Sequence, residues 1–523
     1  MNYEMTGAKE TLRVGNTEVA VPEWLYHITD RDDVESVDYG YAGMYLVCKC
    51  KLKNGLHFVF RDCDESSLKV NVNLNFFMDT THRLAKKGLT HFFEHMMFKR
   101  VKLKGKYLKS ETLNKKASDN GVILNAFTGT EGIVINSLVF PKELIKRQAQ
   151  SVEEAGVYRA LIASRPENKD PFEDVKLLFD MVYGIAYDHK IDPKDVEDEK
   201  KVVKSEIALA KSDHWELFKA SRKVIEGSRF YDFVGCETDI DDITVEDCVD
   251  LTNILINGCT DPATRHVITG NFREIPEVID MWIETMSKVI KRKGKLGKVE
   301  EFNRHFKTGV DKLGGPKHKI ENTLKKKAKT LIVEVPDSET TEMDIYAEVD
   351  FKDRKWAKYS LSNARAIVPV LITFMCNSLS APLTKKFREE LGWTYKVSPN
   401  QVPLGIGTDT FLAGWDMILG KHVPRDLETL AQAKDILYDL EFNDNLVKDL
   451  LNSRADLLLA GMDKMIYNIS DHPYSDNLPL KDWNNHMSPL TDVTLEEWRY
   501  LWFTLLGSMY FILLSGTKKN GEE

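Results

Sequence analysis

The chain has 523 residues, 42% of them hydrophobic and 29% charged, with a formal net charge of −9 at pH 7. This length exceeds a single hydrophobic core and predicts two or more domains of an ordinary soluble protein, and the acidic balance argues against nucleic acid as a partner. The seven cysteines (Cys48, Cys50, Cys63, Cys236, Cys248, Cys259 and Cys376) are scattered, odd in number and without paired C-x-x-C spacing, which excludes a thiolate zinc site and points to a reducing compartment.

The first ten residues hold neither an apolar signal core nor an arginine-rich presequence, so a cytoplasmic location is expected. Residues 1–45 carry few periodic signals and read as an N-terminal extension. From Cys48 to Phe60, alternation broken at Asn54-Gly55 predicts a β-hairpin. Val70 to Phe77 alternates almost perfectly as a half-buried strand. Ile123 to Phe127 and Ile133 to Phe140 are again strand-like, and Pro141 opens a helical region extending beyond Ala155. Asp192-Pro193 supplies a cap and a first-turn proline for a long helix through Glu199 and Glu206, two glutamates seven residues apart on one face. Basic runs at Lys291-Arg-Lys-Gly-Lys and Lys325-Lys-Lys-Ala-Lys, around Gly314-Gly-Pro316, mark a linker over 288–329 between a domain at 46–287 and one at 330–523.

The two sides of this linker look related. Asp242-Ile-Thr-Val-Glu-Asp247 leads through a helical stretch to Gly270, and Asp492-Val-Thr-Leu-Glu-Glu497 leads to Gly516. From the threonine to the closing glycine the intervals are 26 and 22 residues (270 less 244, 516 less 494). An internal duplication of an α+β unit explains this. Trp498 to Leu514, the one long apolar stretch, contains Arg499 and Gly507 and reads as a buried helix and strand, so no membrane partner is expected.

The chemistry concentrates in His91-Phe-Phe-Glu94-His95. At about 100° per residue His91, Glu94 and His95 share one arc of a helix, while Leu89, Phe92, Phe93, Met96 and Met97 take the other. Two imidazoles at i and i+4 are the usual way for a helix to hold a divalent metal, and the glutamate between them is placed as general base, the inverted H-x-x-E-H order. The competing reading is a solvated helix with two incidental histidines. A tetrahedral catalytic zinc wants one more protein ligand, and Glu206, on its well-capped helix beside Glu199, is the best candidate. Any single glutamate is more commonly a surface charge.

Gly88-Leu-Thr-His91-Phe-Phe-Glu94-His95-Met-Met-Phe-Lys resembles the inverted zinc-motif peptidases of the insulinase, pitrilysin and mitochondrial processing peptidase group, the M16 family, in its short single-half form. Four further segments match: Asn54-Gly55 as an early strand turn, Leu124-Asn125-Ala126-Phe127-Thr128 as the substrate strand, Glu199 to Glu206 as the third-ligand helix, and Phe387-Arg388-Glu-Glu-Leu-Gly392-Trp-Thr-Tyr395 as the second-half motif. The resemblance implies an α+β fold of two homologous α/β-sandwich domains of the LuxS and mitochondrial processing peptidase type. It implies one Zn2+ held by His91, His95 and Glu206, with Glu94 as base and Glu199 steadying one imidazole. Asn125 and Ala126 would hold the main chain of a peptide substrate, and Arg388 and Tyr395 would contact the scissile peptide. It also implies that two half-chambers come from separate chains: a homodimer completing its sites in trans, or a heterodimer with an unseen partner.

The chain departs from the family pattern in two places. His95 and Glu206 lie roughly 35 residues further apart than the family leads one to expect, a surplus assigned to an insertion near 148–174. After Thr128 the sequence runs Gly-Thr-Glu-Gly-Ile-Val, without the family's aromatic. The function implied is a zinc endopeptidase of unfolded or extended peptides. A catalytically silent peptide-binding or assembly subunit and a metal-dependent hydrolase of non-peptide substrates are the alternatives.

Overall fold

The computed structural model describes residues 11–517 apart from 15–16, 43–44, 64–66, 78–85, 130–131, 152–169, 211–212, 227–231, 294–328, 337, 351–367, 369, 377–380, 404–409, 441–444, 447 and 449–493. Most of the expected 288–329 linker and the centre of the expected 148–174 insertion therefore lie outside the described residues. The chain divides into two compact units, one of residues 1–204, 233–311 and 468–484, the other of 205–232, 312–467 and 485–523.

The first unit is built on a seven-stranded sheet. Its members in chain order are β1 (Val34–Ala42), β2 (Tyr45–Leu52), β3 (His57–Asp62), β4 (Val70–Phe77), β5 (Val122–Gly129), β6 (Gly132–Val139) and β7 (Thr264–Gly270). Their spatial order is β1-β2-β3-β7-β4-β6-β5. β2 and β3 form the hairpin expected at Asn54-Gly55, with Gly55 at φ +92° as such a turn requires. β4 spans the expected eight residues. Val70, Val72, Leu74 and Phe76 are at most 1% exposed, but the intervening Asn73 and Asn75 are buried too, so over most of its length the strand is covered on both faces and not half-buried as expected. Burying each such large apolar side chain contributes roughly 1.5–3 kcal/mol before the entropy of ordering is subtracted. On β6, Ile133, Ile135 and Val139 are fully buried in an alternating way. The reading of 1–45 as an extension needs correction, because β1 is an edge strand of this sheet. A register shift between Val34 and Ser36 interrupts its pairing with β2.

The helices that matter for the site are α1 (Leu89–Met97), α2 (Glu173–Tyr187), α3 (Pro193–Ala210) and α4 (Val245–Asn257). The capping box expected before α4 is present, Thr244 and Asp247 bonding reciprocally to each other's backbone N–H groups. After α4 comes β7, parallel to β3 and antiparallel to β4.

The second unit repeats this plan in a smaller sheet of β8 (Thr330–Val335), β9 (Thr341–Asp350), β10 (Ser398–Pro403), β11 (Thr410–Leu419) and β12 (Met509–Gly516), ordered β8-β12-β9-β11-β10. α5 is Leu427–Asp439 and α6 is Leu495–Ser508. Thr494 and Glu497 form the capping box of α6, and the β12 that follows is parallel to β8 and antiparallel to β9. The same order of capping box, helix and centrally placed strand thus appears in both units, as a duplication requires. One face of the second sheet buries Met343, Ile345, Trp415 and Met417 with Leu430, Leu437, Trp498 and Trp502. On the other face Leu217, from the helix Asp213–Glu226, is buried with Tyr346, Leu412, Tyr510 and Ile512. That packing places residues 205–232 in the second unit, although the sequence reading assigned them to a 46–287 domain. No described helix is long and apolar enough to cross a membrane.

Candidate metal and peptide site

α1 forms where its apolar residues recur at helical spacing. Leu89, Phe92, Phe93, Met96 and Met97 are at most 5% exposed, whereas His91, Glu94 and His95 are half-buried on the opposite arc. The helix starts from Gly88 at φ +73°, where a Cβ would stand 2.7 Å from the Val234 carbonyl oxygen and 2.8 Å from Ile240. Only glycine meets both conditions. The two imidazole rings lie 4.9 Å apart, edge to face.

Glu206 joins them. His91, His95 and Glu206 offer one ligand atom each, and these three atoms all lie within 4.8 Å of one another. A set of two imidazole nitrogens and one carboxylate oxygen fits zinc, which takes this mixture in catalytic sites and leaves a fourth position open. His95 shows which nitrogen would serve. Its Nδ1 lies 2.9 Å from Glu199 Oε1, and since a carboxylate only accepts, Nδ1 carries the proton, which in the neutral ring leaves the Nε2 lone pair for a metal.

Glu199 is 3% exposed, and its second oxygen, Oε2, pairs with Lys99 Nζ. Burial pushes its carboxyl upward, but the bond from His95 and the ammonium of Lys99 together hold it below the ordinary carboxylate value. The neighbouring Arg100 forks onto Asp195, with Nε 2.5 Å from Oδ2 and Nη2 3.1 Å from Oδ1. Two consecutive cations after α1 therefore grip two carboxylates one turn apart on α3. Sequence reasoning found Glu199 but missed this clamp. The available signal was Lys99 at i+4 from His95.

Glu94 Oε2 accepts a 2.7 Å hydrogen bond from the Thr128 hydroxyl on β5. β5 is the last strand of its sheet, pairing with β6 and, among the described residues, with nothing beyond. Asn125 is exposed on it, and Ala126 is half-buried two positions before Thr128 on the same face. Among the described residues the outer side of β5 has no strand partner, while the Asn125 N–H turns inward and donates to the Ser137 hydroxyl of β6.

Arg388 and Tyr395 belong to the second unit. Residues Lys385–Glu390 form a wide helical turn, and Gly392 at φ +63° ends it. Tyr395 sits in the bend before β10 and is 80% exposed. Thr394 makes an isolated antiparallel bridge to Leu419, and continuous pairing with β11 begins at Ser398. The Arg388 guanidinium lies 4.5 Å from the centre of the Tyr395 ring, a cation–π stack.

Comparison with solved structures identifies the architecture. A protease from Helicobacter pylori superposes with a TM-score of 0.59 over 90% of this chain and 99% of that one, at 14% identity. A peptidase M16 inactive domain from Pseudomonas fluorescens gives 0.60 over 91% of this chain and all of that one, at 13% identity. This is the fold of M16 peptidase domains. Pitrilysin matches as well, with a TM-score of 0.57 and 13% identity over 93% of this chain and 46% of its own. No family model and no curated protein sequence matches the chain.

Proposed function

We propose that the chain is a zinc-dependent endopeptidase that cuts unfolded or extended peptides in a closed chamber. The observation that carries the reading is the convergence of His91, His95 and Glu206 within 4.8 Å, with Glu94 on the same helix face as both histidines. When bound, zinc would supply Lewis acidity, polarising a scissile carbonyl and bringing the pKa of a water towards neutrality.

Glu94 takes the proton of the attacking water and passes it to the leaving amine, a task for which a half-buried carboxylate one turn from the ligands is suited. Glu199 holds the His95 ring in one tautomer and one orientation. The main chain of Asn125 and Ala126, on an open sheet edge, receives the substrate as an added strand, which selects extended peptides over folded proteins. Arg388 and Tyr395 supply a cation and a phenolic donor to the developing oxyanion. In a chain with a single set of zinc ligands, these two come from the partner in a C2 dimer. The seven free thiols fit a reducing compartment such as the cytoplasm.

The test is incubation of the purified protein with an unstructured peptide library, with and without chelator, beside Glu94→Gln. Cleavage by the wild type alone, absent in both controls, is expected. The match to an inactive M16 domain favours a second reading, a silent peptide-binding subunit. Zinc retained with no cleavage of any peptide would favour that reading or a metal-dependent hydrolase of non-peptide substrates.

A further inference from the structure

We propose that Thr128 is a positioning residue whose hydroxyl aims the Glu94 carboxylate and ties it to the strand that receives the peptide. The proposal deepens the peptidase reading and rests on it. Along β5 the exposed positions are Ile123, Asn125 and Phe127, at 54% and 53% exposure for the two apolar ones, while Leu124, Ala126 and Thr128 point to the other face and are half-buried. That second face is the one that meets α1, since Thr128 Oγ1 reaches Glu94 Oε2 at 2.7 Å.

Three features make this bond suited to orienting a base. The carboxylate is an acceptor only, so the hydroxyl must donate, and the bond is charge-assisted. Threonine is stiff at χ1, and Thr128 is further fixed by its ladder position opposite the fully buried Ile133. Glutamate has three rotatable bonds, and the Thr128 hydroxyl fixes the far end of that chain at Oε2. The main-chain groups of Ala126 and Asn125 lie two and three residues away, about 7–10 Å along the same strand. Seating a peptide there and aiming the base are thus carried out by one rigid element. An unpositioned base costs rate without weakening the grip on substrate, so the role separates kcat from KM.

The experiment compares Thr128→Val, which keeps the shape and removes the hydroxyl, with Thr128→Ser, which keeps the hydroxyl. Peptide cleavage by Thr128→Val is expected to lose about tenfold to a hundredfold in kcat with KM within about twofold of wild type, and Thr128→Ser to recover most of the loss. Unchanged kcat in Thr128→Val, or equal losses in both variants, overturns the proposal. Crystal structures of both variants give a readout independent of activity. Glu94 is expected in one rotamer in Thr128→Ser and in a displaced or multiple setting in Thr128→Val; an unmoved carboxylate in Thr128→Val overturns the proposal. If the wild type cleaves no peptide, the peptidase reading has failed, and the Glu94 setting alone decides the positioning role.

Discussion

Replacing Glu199 by alanine should weaken zinc binding by about 10- to 100-fold, the usual cost of removing an outer partner of a metal-binding histidine. This corresponds to about 1.4–2.7 kcal/mol and has two sources here: the lost acceptor for His95 Nδ1, and the Lys99 ammonium left without its carboxylate. Glu199→Gln separates them. Its amide oxygen can still accept from His95, but the bond is no longer charge-assisted and is roughly half as strong, so a loss of about threefold to tenfold is expected. Lys99→Met leaves the His95 bond in place and a nearly buried carboxylate short of a cation. Its larger effect should be on stability, and Lys99, with a side chain 27% exposed, is screened enough to keep that loss at the low end of the range for broken buried pairs, about 3 kcal/mol or less. The assay is competition against a chromophoric zinc chelator at fixed pH, with thermal melts of the apo forms alongside. Glu199→Ala binding zinc as tightly as wild type, with an unchanged melt, would refute the reasoning.

Three further outcomes are expected. Mixing Glu94→Gln chains with Tyr395→Phe chains should restore part of the peptidase activity that each lacks alone, because one of the two mixed sites is then intact; no recovery counts against sites completed in trans. Gly184→Ala gains about 1 kcal/mol of helix propensity in α2, but its Cβ would meet Val101 Cγ1 at 2.6 Å and the Lys102 carbonyl oxygen at 2.8 Å, and overpacking of about 1–3 kcal/mol should prevail; a raised melting temperature would contradict this. His189 and His266 are buried and pushed down to about 4, His266 giving its Nδ1 proton to the His57 carbonyl while Nε2 accepts from Tyr187. Both are neutral in the fold and free to protonate near 6.5 once unfolded. Their contribution is therefore complete above pH 6.5 and lost as pH falls towards 4, by roughly 3 kcal/mol each, and a denaturation midpoint flat between pH 7 and pH 5 would refute it.

Much of this fold was legible because its elements keep strict periods. β4 alternates valine, leucine and phenylalanine with asparagine, and α1 sorts its apolar and polar residues by angle, so both were bounded almost to the residue. The two capping boxes at Thr244 and Thr494 were readable for the same reason, being local signals. What escaped depends on tertiary contact. Lys99 and Thr128 acquire meaning only when α3 and β5 are brought against α1: the i+4 spacing of Lys99 from His95 does not name its carboxylate partner, and Thr128 reads as an ordinary strand hydroxyl. The helix Asp213–Glu226 could not be assigned to the second sheet from its own sequence, since the partners of Leu217 lie more than a hundred residues further on.

The open edge of β5 has a consequence for handling the protein. From Val122 to Gly129 the strand holds no charged residue and no proline, and Ile123 and Phe127 stand more than half exposed on it. Natural sheets normally guard such edges with lysine, proline or a bulge, because an unguarded edge templates pairing with other chains. If peptides are received there, the guard must be missing, and the row of amides that binds substrate is also where concentrated protein will begin to self-associate. A lysine at Asn125 would keep the molecule dispersed at the expense of its grip on peptides, and an extended peptide in saturating amount should protect the wild type from aggregation in the same way.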